Sequence, residues 1–83
     1  MRVTIKLYAT LTDYLPAGSK NNRVETELPD DTTIDAALAP FALPPKLTHL
    51  VLINGVFIPR EARASTCLQE DDTLAVWPPI AGG

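Results

Sequence analysis

The sequence predicts an α+β domain in which a mixed sheet of four to five strands grips one main helix. Three observations carry that prediction. Residues 2–8 and 23–28 alternate apolar and polar side chains with the two-residue period of a strand buried on one face. Ile34, Ala37, Leu38 and Phe41 recur at helical spacing just after a threonine suited to cap a helix. Asn54-Gly55 separates two short apolar runs, the strongest local signature of a hairpin, because a type I′ turn needs positive φ at both central residues.

Each element follows in chain order. In residues 2–8, Val3, Ile5 and Leu7 share one face while Arg2, Thr4 and Lys6 share the other. Residues 9–15 carry Leu11, Tyr14 and Leu15 at helical spacing before Pro16 and Gly18, which predicts one or two helical turns. A polar loop over residues 19–22 leads to the second strand, with Val24, Thr26 and Leu28 opposite Glu25 and Glu27. Thr32 is the expected cap of the main helix, with Asp35 in place of the Glu of a capping box. Pro40 and the Pro44-Pro45 pair keep that helix short. Residues 49–53 and 56–58 are the hairpin arms; residues 61–66 read as polar and irregular, and Leu68 as an isolated apolar anchor. Glu70-Asp71-Asp72 forms a turn before the last strand, residues 73–77. The domain therefore spans residues 1–77, and residues 78–83 form an extended tail.

With 83 residues, the chain holds one domain and one core. Seven basic residues against ten acidic ones, scattered without a run, argue against nucleic acid as a partner. The longest apolar stretch, residues 50–59, is interrupted by Asn54-Gly55 and is too short to span a bilayer, so the expectation is a cytoplasmic protein without a membrane partner. Cys67 is the single cysteine, which excludes an internal disulfide, an iron–sulfur cluster and a cysteine-rich zinc site. With His49 the single histidine, a self-contained His-based catalytic machinery is not expected, nor a resident metal or cofactor. Cys67 and His49 both read as structural or surface residues. The acidic turn lacks the ordered oxygen spacing of a calcium loop.

The chemistry lies in the tail. Pro78 and Pro79 have no N–H to donate, so the last strand must stop at Trp77 and the following residues are held extended. Six residues reach up to roughly 20 Å, enough to enter a partner's active site while the domain docks outside. Gly82 and Gly83 lack a Cβ, which suits passage through a narrow channel. The α-carboxylate of Gly83 is the reactive group of that tail. It is inert until activated, and activation by ATP to an acyl-adenylate would let sulfur displace AMP.

Leu7-Tyr8-Ala9 with Leu11, the run from Leu28-Pro29 through Ile34, residues 51–55, Leu68, and Ala75-Val76-Trp77-Pro78-Pro79-Ile80-Ala81-Gly82-Gly83 resemble the small subunit of molybdopterin synthase and its thiamine-pathway relative, the ThiS-like sulfur carriers. The likeness spans almost the whole chain. Its most specific part is the terminal aromatic-Pro-Pro-aliphatic-small-Gly-Gly string. The resemblance implies a ubiquitin-like β-grasp fold and adenylation of Gly83 by a ubiquitin-activating-like adenylyltransferase that uses ATP. It further implies conversion to a thiocarboxylate by a sulfur donor system, and insertion of Ile80, Ala81, Gly82 and Gly83 into the large subunit of the synthase. Catalytic side chains would belong to that partner, so this chain would be a carrier and not an enzyme. Tyr8, Leu68, Trp77, Pro78 and Pro79 match positions that dock on partners. Trp77 stands where Phe is usual, and Asp71 where Gly is usual, a replacement compatible with Asp's tolerance of the left-handed region.

Other readings stand beside this one. Leu68 and Trp77 are also compatible with an ordinary core. The same tail chemistry serves a sulfur carrier for thiamine, tRNA thiolation or cysteine synthesis, and the alternatives to a carrier are a ubiquitin-like modifier of protein lysines or an interaction module without tail chemistry.

Overall fold

Alternation in the first strand decides which face of the sheet is buried. In the computed structural model, which describes residues 1–79, Val3, Ile5 and Leu7 are wholly excluded from solvent, whereas Arg2 is exposed and Thr4 and Lys6 are half-buried. The strands are β1 (Arg2–Leu7), β2 (Arg23–Glu27), β3 (Leu50–Ile53), β4 (Val56–Phe57) and β5 (Thr73–Trp77), in the spatial order β2-β1-β5-β3-β4. β5 is parallel to β1 and antiparallel to β3; β1–β2 and β3–β4 are antiparallel. The last strand in sequence thus lies at the centre of the sheet. Its Leu74 and Val76 meet Val51 of β3 and the three buried residues of β1 in a single cluster.

One short helix, α1 (Ile34–Leu38), lies on that buried face and contributes Ile34, Ala37 and Leu38. Its cap differs from the expected one: Thr33, in extended conformation, accepts from the Ala36 N–H at 3.2 Å. Thr32 is already engaged, its hydroxyl donating to the Pro29 carbonyl and its own carbonyl accepting from the Leu68 N–H at 2.8 Å. Pro40 has no N–H for the Ala36 carbonyl, so the α-helical ladder cannot continue and the chain tightens into a 3₁₀ turn, Ala39–Phe41. The predicted turns after β1 are likewise 3₁₀, Ala9–Tyr14, and bury Leu11 completely.

Asn54 and Gly55 have φ of 51° and 85°, the positive pair that the hairpin requires. Asn54 also binds across the sheet, its side chain donating to Asp72 and accepting from the Thr73 N–H, both at 2.9 Å, so the hairpin tip is tied to the start of β5. Asp71 takes φ 66°, the left-handed conformation expected of it. Several strand ends are one residue shorter than their apolar patterns: β1 stops at Leu7, β2 at Glu27, and the hairpin arms run from Leu50 to Phe57.

Two residues depart from the sequence reading. Leu68, expected to dock on a partner, is 3% exposed and belongs to the core. Its backbone pairing with Thr32 turns the side chain inward against the cluster, so it offers no surface to a partner. Arg63, expected in an irregular polar segment, is 4% exposed and donates from Nη1 to the Thr48 carbonyl at 2.9 Å and from Nη2 to the His49 carbonyl at 3.0 Å. No helix among the described residues is long and apolar enough to cross a membrane.

The placement of Leu68 has a measurable consequence. Leu68→Ala should cost about 2 to 5 kcal/mol of unfolding free energy in a denaturant titration, the range for emptying a buried leucine site. A cost below about 1 kcal/mol, the level of an ordinary surface change, would put Leu68 back on the surface.

Candidate functional site at the exit of the last strand

The rim where β5 ends is built by three strand termini. Leu7 pairs with Val76 and Leu50 with Trp77, so the end of β1, the start of β3 and the end of β5 meet there. Two further backbone bonds close the ladder: Tyr8 N–H donates to the Val76 carbonyl and His49 N–H to the Trp77 carbonyl, each at 3.1 Å. Pro78 and Pro79 follow, half-buried and exposed, and neither has an N–H with which to prolong the sheet. Trp77 is therefore the last residue of the strand, as its position before the proline pair predicts.

Alternation decides where its indole goes. Leu74 and Val76 point into the core, so Thr73, Ala75 and Trp77 face the opposite, open side of the sheet. Trp77 is 39% exposed and stacks on Tyr8, with ring centroids 3.7 Å apart and planes 3° from parallel. The pair forms a flat aromatic ledge directly beside Pro78 and Pro79. Aromatic stacking of this kind contributes about 0.5 to 1.5 kcal/mol beyond burial alone.

The ledge continues across the open face. Leu50 lies opposite Trp77 and Leu52 opposite both Ala75 and Phe57, whose side chain is 53% exposed. Leu50, Leu52 and Phe57 are absent from the docking residues read from the sequence. A signal for them exists: β1 and β2 alternate apolar with polar, while residues 50–53 are all apolar, the pattern of a strand whose two faces both seek cover. Tyr8, Trp77, Pro78 and Pro79 are thus brought together at one rim, and Leu68 is not. Ile80, Ala81, Gly82 and Gly83, the expected inserted segment and sulfur-bearing residue, lie outside the described residues.

Behind the rim, the Thr48 carbonyl accepts from Arg63 and also from Arg60 Nη2 at 3.0 Å. Burial lowers the pKa of Arg63, and the neighbouring Arg60 charge lowers it further, against the opposing effect of Asp35 and Glu61. The two arginines hold the 48–49 backbone from which the His49 N–H reaches Trp77, so they brace the exit of the last strand. Cys67 is exposed, with its thiol 3.5 Å from the Asp31 carbonyl, and is remote in sequence pairing from the rim, bridging to Thr33. In the acidic turn, Asp72 accepts from the Gln69 N–H at 2.8 Å and Glu70 accepts from the Arg2 N–H, so these carboxylates shape the loop. Among the described residues, no three His, Cys, Asp or Glu side chains gather as metal ligands would. This arrangement presents an exposed aromatic and apolar face beside Pro78 and Pro79.

Comparison with known proteins agrees with that geometry. The chain superimposes on SAMP1 from Haloferax volcanii with a TM-score of 0.72 at 24% identity, covering 100% of both chains. A putative molybdopterin converting factor subunit 1 from Pyrococcus furiosus gives 0.69 at 17% identity, over 95% of this chain and 98% of that one. A complex of subunits 1 and 2 of molybdopterin-converting factor from Helicobacter pylori 26695 contains a chain matched at 0.62 and 16% identity, with 100% of each covered. At these identities the likeness is one of fold, the ubiquitin-like β-grasp. No curated protein sequence matches the chain. The ThiS family profile matches residues 5–83, from the second buried residue of β1 through both terminal glycines, and on that match the chain belongs to the ThiS family.

Proposed function

We propose that this protein is a sulfur carrier, the small subunit of a molybdopterin synthase, which carries sulfur as a thiocarboxylate on Gly83. The observation that carries the reading is the exit itself: a central strand, bonded on both sides, ends at an exposed aromatic ledge and passes into two prolines. The family match through Gly83 supports it, as does the fold shared with a chain whose structure was solved as a complex of converting-factor subunits 1 and 2.

In this mechanism the domain contributes no reacting side chain. The Tyr8–Trp77 ledge and the apolar face beside it dock on the adenylyltransferase, and residues 78–83 reach its nucleotide. The Gly83 carboxylate oxygen attacks the α-phosphorus of ATP and releases pyrophosphate. Hydrosulfide supplied by the donor system then attacks the acyl carbon, forming a C–S bond while the C–O bond to AMP breaks, which leaves the thiocarboxylate and free AMP. The same face and tail next engage the large subunit, whose side chains transfer the sulfur to a pterin precursor of the molybdenum or tungsten cofactor. The same steps up to the thiocarboxylate would serve thiamine, tRNA thiolation or cysteine synthesis.

A second reading is favoured by the match to SAMP1, also described as small archaeal modifier protein 1, at 23% identity and a TM-score of 0.69. In that reading the acyl-adenylate of this chain is passed to a protein lysine, whose amine replaces AMP to give an isopeptide bond.

Two outcomes are expected. Incubation with an adenylyltransferase of its own host, ATP and a sulfur donor should exchange one terminal oxygen for sulfur, read as the intact-mass change; an enzyme active on another carrier but silent on this chain contradicts the assignment, and Gly83-dependent high-mass conjugates without thiocarboxylate favour the modifier. Trp77→Ala should weaken binding to that adenylyltransferase by about 2 kcal/mol or more, as aromatic anchors do, while costing less than about 2 kcal/mol of stability because the ring is partly exposed and loses chiefly its stack. Unchanged affinity with a loss of about 3 to 5 kcal/mol in unfolding would return Trp77 to the core.

A further inference from the structure

The register of the sheet gathers basic residues that the sequence scatters. Lys6 of β1 stands opposite Arg23 of β2, and Arg23 bridges in turn to Lys20 across a turn in which Asn21 and Asn22 take φ of 57° and 61°. On its other side Lys6 is in register with Ala75, Ala75 with Leu52, and Leu52 with Phe57. Cross-strand partners share a face, and Ala75 lies on the open one, so a single row crosses that face with cations at one end and apolar side chains at the other. Lys20 and Arg23 are exposed, and Lys6 is half-buried. The ion pairs among the described residues involve only the N-terminus and Arg2, and Glu25, the carboxylate diagonal to Lys6 in the ladder, is 3.8 Å from Arg2. Like charges directly opposite each other destabilise a sheet, so Lys6 and Arg23 gain nothing from one another within the domain. Tyr8 and Trp77 lie two residues beyond Lys6 and Ala75, which sets the cations at the margin of the aromatic ledge.

We propose that this face docks a protein surface whose apolar centre is flanked on one side by carboxylates; the identity of that partner, the adenylyltransferase, rests on the sulfur-carrier reading. Phe57, Leu52 and the ledge cover the apolar centre, and the carboxylates meet Lys6, Arg23 and Lys20. The lopsided row fixes the sense of docking. A partner turned end for end sets carboxylates on Leu52 and Phe57 and apolar groups on the cations, and desolvates both without pairing them. Because the cations are solvated and lie at the margin, they act chiefly on the rate and orientation of encounter, while the apolar centre holds the complex. The chain's formal charge of −3 opposes a nucleic acid or an anionic membrane, whereas a local acidic margin is attracted over a Debye length of about 8 Å at physiological salt.

The test is the association rate of the full chain with the adenylyltransferase of its own host, followed by stopped flow across a salt series. The rate should fall at least about tenfold as the Debye length shrinks from about 30 to about 3 Å. Lys6→Gln and Arg23→Gln should each lower it about threefold or more at low salt and leave the dissociation rate within about twofold, with native melting curves. Lys46→Gln, which removes the same charge from the turn Pro45–Leu47 outside the sheet, should leave association within about twofold. A salt-independent rate, no effect of Lys6→Gln and Arg23→Gln, or an equal loss in all three variants would overturn the proposal even where adenylation proceeds. Binding to vesicles of equal phosphatidylserine and phosphatidylcholine that Arg23→Gln abolishes would overturn it in favour of a membrane. Charge-dependent association without adenylation would uphold the docking face and overturn the sulfur-carrier reading, and no association with an enzyme active on another carrier would overturn both.

Discussion

The structure depends on a single constraint: the last strand is also the central one. β5 is hydrogen-bonded to β1 on one side and to β3 on the other, so its course is fixed over its whole length by two ladders. A terminal strand at a sheet edge can fray from one side, whereas this one can be released only by opening the core. Its direction is consequently the most rigidly set feature of the rim. Pro78 therefore starts from a fixed point and a fixed heading, and neither it nor Pro79 has an N–H with which to continue the sheet.

Other features serve that exit. The single short helix covers only as much of the buried face as β1, β5 and β3 require, and Thr32, Thr33 and Leu68 lock the segment before it to the segment before β5. Asn54 and Asp72 tie the hairpin to the base of β5, while Arg63, through His49, steadies its far end. Burying a guanidinium is costly unless its donors are met, and the two carbonyls at the start of β3 meet part of that demand. The open face is left apolar next to the exit, where a partner's surface would cover it.

Legibility in the sequence followed the range of the interaction. Period-two alternation exposed β1 and β2, and positive φ at Asn54-Gly55 exposed the hairpin, because these patterns arise within a few residues. The proline pair likewise fixed the end of β5 without reference to anything distant. The cap was misplaced by one residue because Thr32 and Thr33 are chemically equal candidates, and the choice was made by Leu68, whose amide claims the Thr32 carbonyl from 36 positions away. Leu68 itself shows the same limit: an isolated apolar residue among polar ones reads equally as anchor or interface until its pairing is known. Arg63 was hidden because an arginine in a polar stretch gives no local sign of burial. At the rim, Tyr8 and Trp77 were identified singly, but their stacking is a product of the parallel β1–β5 register, which no local pattern encodes.

The account's central claim is that domain and tail divide the labour, the folded rim docking and the terminal glycines reacting. It is tested most directly with a chain lacking Gly82 and Gly83 in an ATP–pyrophosphate exchange assay on the adenylyltransferase. The account predicts that this chain melts like the full-length protein, supports no exchange, and competes with the full-length chain for the enzyme. Failure to compete despite a native melting curve, or exchange at the full-length rate, would contradict it.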